Sequence, residues 1–369
     1  LVMVGVLVCC ADSTTKKASR VVMRCHDTAR THLIYSKRVP PSKVDIPKPG
    51  EFDHIFYTEF LGGCDVDRAC VIDLVEAMEH GNDAFVQHYL APGTVFFLPA
   101  SAKNPKTWLI KDILNIFRHY NVSSSNYTLV HVADESNSWN NPALISFYQE
   151  WKKVFRQTWH FSDEYTALSE AGKLGWLPIH HLRTPNLSPS EIVPASKRLH
   201  NVTFRGNTKT NMGRRTHWKE LQRELYKRNA SMTGTVVKSF SFSVDYSQGA
   251  YLKEMTNSRL CLGMKGVSPE CYRFYESLEC GCIPLFIDKL SGVDYTALFD
   301  PWKSKLMEVP WRGGNTLPFP WVRDMKAFLR LYDDLFLSGP EGLAKLDALQ
   351  RDTMEWWGVA KRHFIGIYE

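Results

Sequence analysis

The chain has 369 residues, 44% of them hydrophobic and 23% charged, an ordinary globular composition that excludes disordered and fibrous classes. Its length suffices for two domains with full cores. The net charge of +6 is modest, and the basic residues are scattered apart from small clusters such as Lys152 with Lys153 and Arg214 with Arg215. This pattern fits solubility and attraction for an anionic ligand, and excludes a nucleic-acid footprint.

Leu1 to Ala11, LVMVGVLVCCA, is an apolar run followed by a basic stretch and then by Pro40, Pro41, Pro47, Pro49 and Gly50. Eleven residues fall short of the roughly 20 that span a bilayer. Residues 1–50 are read as the end of a signal anchor plus a stem, in preference to a buried first strand. Sequons at Asn121, Asn126, Asn186, Asn201 and Asn229 fit a lumenal chain. Of the nine cysteines, Cys64 and Cys70 are spaced to close a short loop in an oxidising compartment. Cys261, Cys271, Cys280 and Cys282 read as small buried hydrophobes.

Helical and extended patterns alternate from there on, which argues for an α/β fold. In a first domain, residues 51–190, strands are expected at His54 to Phe60, Thr94 to Pro99 and Tyr127 to Ala133. Helices are expected at Val71 to His80, Trp108 to Tyr120 and Leu144 to Trp159. His131 lies on the third strand, where it either orients a carboxylate or is a satisfied core residue. Asp134 and Glu135 follow the carboxyl end of that strand, where open α/β sheets place their ligands. The Pro- and Ser-rich loop Thr184 to Ser196 marks the domain boundary. The second domain, residues 191–345, continues with a strand at Val202 to Phe204 and a helix at His217 to Arg228. A strand at Val236 to Phe240 and a helix at Tyr251 to Asn257 follow. A further strand is expected at Leu317 to Val322, and helical periodicity runs into a tail at 346–369.

The most informative stretch is Asn257 to Asp288, NSRLCLGMKGVSPECYRFYESLECGCIPLFID. Ser258 to Leu262 reads as a buried strand entering a loop in which Gly263 and Gly266 allow close backbone approach to a ligand. Ser268 is the expected N-cap and Pro269 the first helical residue. Cys271, Phe274, Tyr275 and Leu278 then make an apolar face, with Glu270, Arg273 and Glu276 elsewhere on the circumference. Gly281 ends the helix and Cys282 to Ile287 is the next strand. This order is half of a nucleotide-binding sheet, with the positive end of a helix dipole facing the loop. Arg273 is placed to pair with phosphate oxygens and Glu276 to accept from ribose hydroxyls, the alternative being a surface ion pair between the two.

CLGMKGVSPECYRFYESLECGCIPLFID resembles the donor-binding half of exostosin-type glycosyltransferases (glycosyltransferase family 47), most closely the ribitol-5-phosphate xylosyltransferase branch. The resemblance rests on Gly266 to Arg273, Tyr275 with Glu276, and Gly281 to Pro284. LVHVADE from Leu129 to Glu135, VFRQTW from Val154 to Trp159, and FRGN from Phe204 to Asn207 with Arg214 and Arg215 are also similar to the family's patterns. The pair His180 and His181 departs from them. The resemblance implies a GT-B fold of two Rossmann-like domains facing a cleft, with C-terminal helices bracing both. It implies inverting transfer from a UDP-sugar to a glycan or glycoprotein hydroxyl, in the Golgi or endoplasmic reticulum lumen, with no obligatory metal or other cofactor.

In such a transfer one base takes the acceptor proton while cations stabilise the departing diphosphate. The base is then Glu135 or Asp134. The donor-binding set is Arg273 and Glu276 with Gly266, Ser268 and Glu270 of the loop, plus Arg205, Arg214 and Arg215. Asp65 and Asp67 form a D-x-D of the kind that holds a metal in other glycosyltransferases, but they do not end a clear apolar strand. No G-x-G-x-x-G with an acidic partner points to a nicotinamide cofactor. A non-catalytic carbohydrate- or partner-binding protein of the same fold is the alternative.

Overall fold

Parallel strands need crossover connections, and helices on both faces leave such strands with near-continuous apolar runs. Both sheets of the protein are built mainly from parallel strands. The computed structural model describes residues 31–34, 71–72, 81, 83–90, 95–99, 114–132, 142–157, 163–178, 187–207, 213–228, 232–237, 247–266 and 269–366. The chain divides into two compact units, one formed by residues up to Pro178 with Ile365–Glu369, the other by Ile179–Phe364.

The first unit contains β1 (Thr31–Ile34), β2 (Val71–Ile72), β3 (Val95–Pro99), β4 (Thr128–Val132), β5 (Lys153–Gln157) and β6 (Leu174–Leu177). They form one sheet in the order β2-β1-β3-β4-β5-β6, every neighbour parallel. Its helices are α1 (Asp83–Tyr89), α2 (residues 114–119), α3 (Pro142–Gln149) and α4 (Asp163–Glu170). Three expectations give way here. Thr31–Ile34, within the presumed stem, is the sheet's first strand, as suits a short apolar and β-branched run. Val71 and Ile72 form a strand rather than the start of a helix. The single helix expected over Leu144 to Trp159 is α3 followed by β5. Val154, Phe155 and Arg156 are all buried, so a strand enclosed on both faces loses the period of two that would have revealed it. The expected strand at His54 to Phe60, Cys64 with Cys70, Asp65 with Asp67, and His180 with His181 lie outside the described residues.

The second unit contains β7 (His200–Asn207), β8 (Met232–Val237), β9 (Ser258–Gly263), β10 (Ile283–Leu290), β11 (Val293–Asp294) and β12 (Trp321–Asp324). Its helices are α5 (Arg214–Tyr226), α6 (Gln248–Thr256), α7 (Tyr272–Glu279), α8 (Thr296–Met307), α9 (Met325–Phe336) and α10 (Gly339–Gly366). The parallel strands run β8-β7-β9-β10-β12, and β11 folds back antiparallel on the end of β10. The strand expected at Val236 to Phe240 is β8, which starts earlier because its register sets Met232 against Val202. Each unit is therefore a doubly wound α/β sheet, and the tandem is of GT-B-like construction.

Aromatic packing fills the second core. Phe274 of α7 meets Trp302, Phe286, Phe319 and Trp356, and Trp321 stacks on Phe286. Helix α10 is tied into this unit, where Gln350 donates to the carbonyls of Val193 and Gly281 and Asp347 accepts from Ser196. The buried Arg198 guanidinium donates to the carbonyls of Val193, Met255, Ser258 and Cys280, sewing a loop, the end of α6, the start of β9 and the end of α7 together. Burial pushes its pKa down to about 10, so it stays charged at neutral pH. Gly281 closes α7 at φ 61°, and a Cβ there would press on Ile192 and lie 2.9 Å from Arg198 Nη2.

Cys261 and Cys282 are not mere buried hydrophobes, since they form a disulfide between β9 and the start of β10. The register that sets Cys261 against Pro284 brings Cys282 within a Cα separation of 5.9 Å. Cys271 and Cys280 remain buried thiols. Replacing Cys261 and Cys282 together by Ala is expected to lower unfolding free energy by about 2–4 kcal/mol, read from the urea midpoint. Under reductant the wild-type protein should move to the same midpoint.

Candidate functional site

In the order β8-β7-β9-β10-β12, the sheet reverses direction between β7 and β9. Right-handed crossovers send α5 and α7 to opposite faces, so both helices begin beside the adjoining carboxyl ends of β7 and β9. This is the position at which open α/β sheets bind ligands. Arg214 is the first residue of α5 and Arg273 the second of α7. Their guanidinium carbons lie 5.8 and 4.6 Å from the centroid of the Phe204 ring, near the end of β7. Gly206 permits this approach, since a Cβ there would come within 2.9 Å of Phe204 Cζ and 3.3 Å of Arg214 Nη1. Burial and the neighbouring Arg273 cation push Arg214 down to about 10.

The two arginines are held differently. Arg214 Nε donates to the Lys265 carbonyl at 2.9 Å, and Nη2 donates to the Met264 carbonyl at 3.3 Å. Arg214 thus fixes the loop that leaves β9, in which Gly266 is buried. Arg273 is oriented by Tyr251 of α6, whose phenol accepts from the guanidinium and donates to Glu276 Oε2 at 2.7 Å. Burial and Glu276 hold the Tyr251 phenol well above its usual range, so it keeps the proton it donates. Burial disfavours the Arg273 charge, but the surrounding Tyr251, Cys271 and Glu276 outweigh it. Arg273 Nε is buried and makes no hydrogen bond among the described residues.

The remaining expected residues divide. Glu276 is only 2% exposed, so the polar side of α7 expected from its spacing is buried against Tyr251. Glu270 is equally buried and accepts from the Tyr275 hydroxyl. Arg205 pairs with Glu254 at 2.6 Å, and Thr203 donates to the same carboxylate. Arg215 lies exposed on α5. His131 is a buried core residue bonded to the Tyr148 hydroxyl. Asp134, Glu135 and Ser268 lie outside the described residues. Helix α7 begins at Tyr272, with Cys271 extended before it at φ −142° and ψ 148°, rather than at Pro269. The buried bond between Tyr275 and Glu270 holds the preceding segment out of the helix. Tyr251 and Glu254 were missed because both sit on a helix read only as scaffold. The available signal was chemical: a buried tyrosine hydroxyl needs a partner.

Tyr251→Phe is expected to leave the Glu276 carboxylate buried without this donor and to cost about 1–3 kcal/mol, measured by denaturant unfolding. In a double-mutant cycle with Glu276→Gln the two costs should be non-additive.

His217 of α5 hydrogen-bonds Tyr295 through Nε2 at 2.7 Å, and burial lowers its pKa. As pH falls below the ordinary imidazole range, the unfolded chain takes up a proton that the folded protein resists, so stability falls with it. His217→Gln should remove that part of the slope in a pH series of unfolding midpoints.

No curated protein matches the chain in sequence. Among solved structures it is similar to a UDP-forming alpha,alpha-trehalose-phosphate synthase from Burkholderia xenovorans, at 9% identity and TM-score 0.44, covering 86% of this chain and 84% of that one. It is also similar to an alpha-glucosyltransferase (AGT) in complex with UDP, at 11% identity and TM-score 0.43, covering 89% of this chain and 94% of that one. The profile of the Exostosin GT47 domain matches residues 128–319, which include β4, β5 and every residue of the arginine site. That span is just over half of the chain, which therefore belongs to the exostosin GT47 family and is a glycosyltransferase.

Proposed function

We propose that the protein transfers a sugar with inversion from a UDP-sugar to a hydroxyl of a glycan or glycoprotein, and that the switch point of the second unit holds the donor diphosphate. The observation that carries this reading is the meeting of Arg214 and Arg273 on one phenylalanine ring, each in the first turn of its helix. Two cations this close repel, and an anion between two helix N-termini relieves that repulsion. Arg273 takes the principal part, because its Nε has no hydrogen bond among the described residues, whereas Arg214 is engaged with loop carbonyls. As the bond from the anomeric carbon to the diphosphate breaks, charge collects on the leaving phosphate oxygens, and a guanidinium stabilises it there without a metal. Arg205 is already neutralised by Glu254 and contributes less.

The acceptor hydroxyl loses its proton to Asp134 or Glu135, which follow the carboxyl end of β4. The motif likeness to the xylosyltransferase branch favours UDP-xylose as donor, ahead of UDP-glucuronic acid. The disulfide between Cys261 and Cys282 supports work in the oxidising lumen of the Golgi or endoplasmic reticulum, with the amino-terminal apolar run as part of a membrane anchor.

Calorimetry with UDP and UDP-sugars in EDTA tests the reading. Wild-type protein should bind UDP without added metal, and Arg273→Ala should weaken that binding about 10- to 100-fold, the worth of one charged hydrogen-bond set. Arg205→Ala should weaken it less. Binding that requires Mn²⁺, or that Arg273→Ala leaves unchanged, would remove the diphosphate from this site.

A further inference from the structure

The three sequons among the described residues separate sharply once placed on the fold. Asn201 of β7 is 9% exposed, its side-chain amide donates to the Tyr332 hydroxyl, and its carbonyl oxygen accepts from Arg259. β7 is paired on both edges, by β8 and by β9. A sugar on that amide nitrogen would have to occupy filled core. Asn121 and Asn126 are the opposite case. They lie in the turn between α2 and β4, both are exposed, and neither side-chain amide has a hydrogen-bond partner among the described residues. Asn121 adopts φ 52°, a left-handed conformation for which asparagine is well suited. Asn126 ends a short 3-10 turn, Ser124–Asn126, whose cap is Ser123. Asn186 and Asn229 lie outside the described residues.

We infer that Asn121 and Asn126 are N-glycosylation sites and that Asn201 is not. In the reaction the side-chain amide nitrogen of each asparagine bonds to the anomeric carbon of an oligosaccharide carried on a lipid diphosphate. The bond from that carbon to the diphosphate oxygen breaks, the amide gives up one proton, and the lipid diphosphate leaves. No oxidant or reductant takes part. A surface position is required because the attached sugar must stay in water. The inference rests on the lumenal passage proposed above, which the buried disulfide supports independently of any sequon.

Placement on the sheet gives the sites a further property. Residues 121–127 lead into the amino end of β4, whereas Asp134 and Glu135 follow its carboxyl end. Ligands of doubly wound sheets bind at the carboxyl ends. Oligosaccharides on Asn121 and Asn126 therefore leave from the amino-end side of this sheet.

The test uses the full chain behind a cleavable secretory leader, purified from a cell that makes lipid-linked oligosaccharides. Peptide-N-glycosidase in heavy-oxygen water converts each occupied asparagine to labelled aspartate, read by peptide mass spectrometry. Label is expected at positions 121 and 126 and absent at 201. On a gel, Asn121→Gly and Asn126→Gln should each lose one oligosaccharide step, the glycine suiting the left-handed backbone. Ser123→Ala, which destroys the first sequon but keeps Asn121, should lose the same step as Asn121→Gly. Absence of label at either position, or label at 201, overturns the inference. UDP binding by the same preparation reports separately on the donor site.

Discussion

The site depends on the parallel pairing of β7 with β9. These strands lie side by side in the sheet but are separated in the chain by α5, β8 and α6. Their carboxyl ends open together, and the helices that follow them start at one place from opposite faces. Neither helix alone would make a strong anion site, since a single terminus contributes a fraction of a charge. The pairing adds a full guanidinium from each. Phe204 lets the two approach by offering an apolar surface and a negative ring face. A protein that gathers like charges in this way loses some stability in the empty state and regains it with a bound anion.

The surrounding residues divide the labour between shape and charge. Arg214 spends its hydrogen bonds on the carbonyls of the loop after β9, so its charge is located by structure. Arg273 is oriented indirectly through Tyr251 and Glu276. A direct salt bridge to Glu276 would have cancelled more of its charge. The intervening phenol positions the guanidinium while leaving it attractive to an anion. Arg205 shows the contrasting outcome, a cation paired directly with a carboxylate at 2.6 Å.

Much of this was legible in the sequence, for identifiable reasons. The run from Ser258 to Asp288 carries strong local signals, and β9, α7, the turn at Gly281 and β10 fall in the expected order. Arg273 stands in the first turn of α7 rather than one turn inside it, because the helix starts at Tyr272 and not at Pro269. The signals that failed were those decided by tertiary contact. Ser268 and Pro269 are ideal local helix starters, yet α7 begins at Tyr272 because Glu270 is drawn into the core by Tyr275. β5 was hidden by burial on both faces, and the disulfide by strand register, which a sequence does not display. The fates of Arg205 and Arg214 were not legible because each is set by a partner brought in by the fold, while Arg215 lies exposed.

Gly281 carries a consequence for substitution. Its left-handed backbone disfavours any side chain, and the space a side chain would enter is already taken by Ile192 and Arg198. Asn121 has nearly the same backbone hand in open solvent and is not glycine. Position 281 is thus closed to substitution twice over, by torsion and by volume, and compensation would require two independent changes at once. The junction of α7, β10 and Arg198 therefore meets any side chain at 281 with two penalties, where the exposed turn at Asn121 imposes only the torsional one.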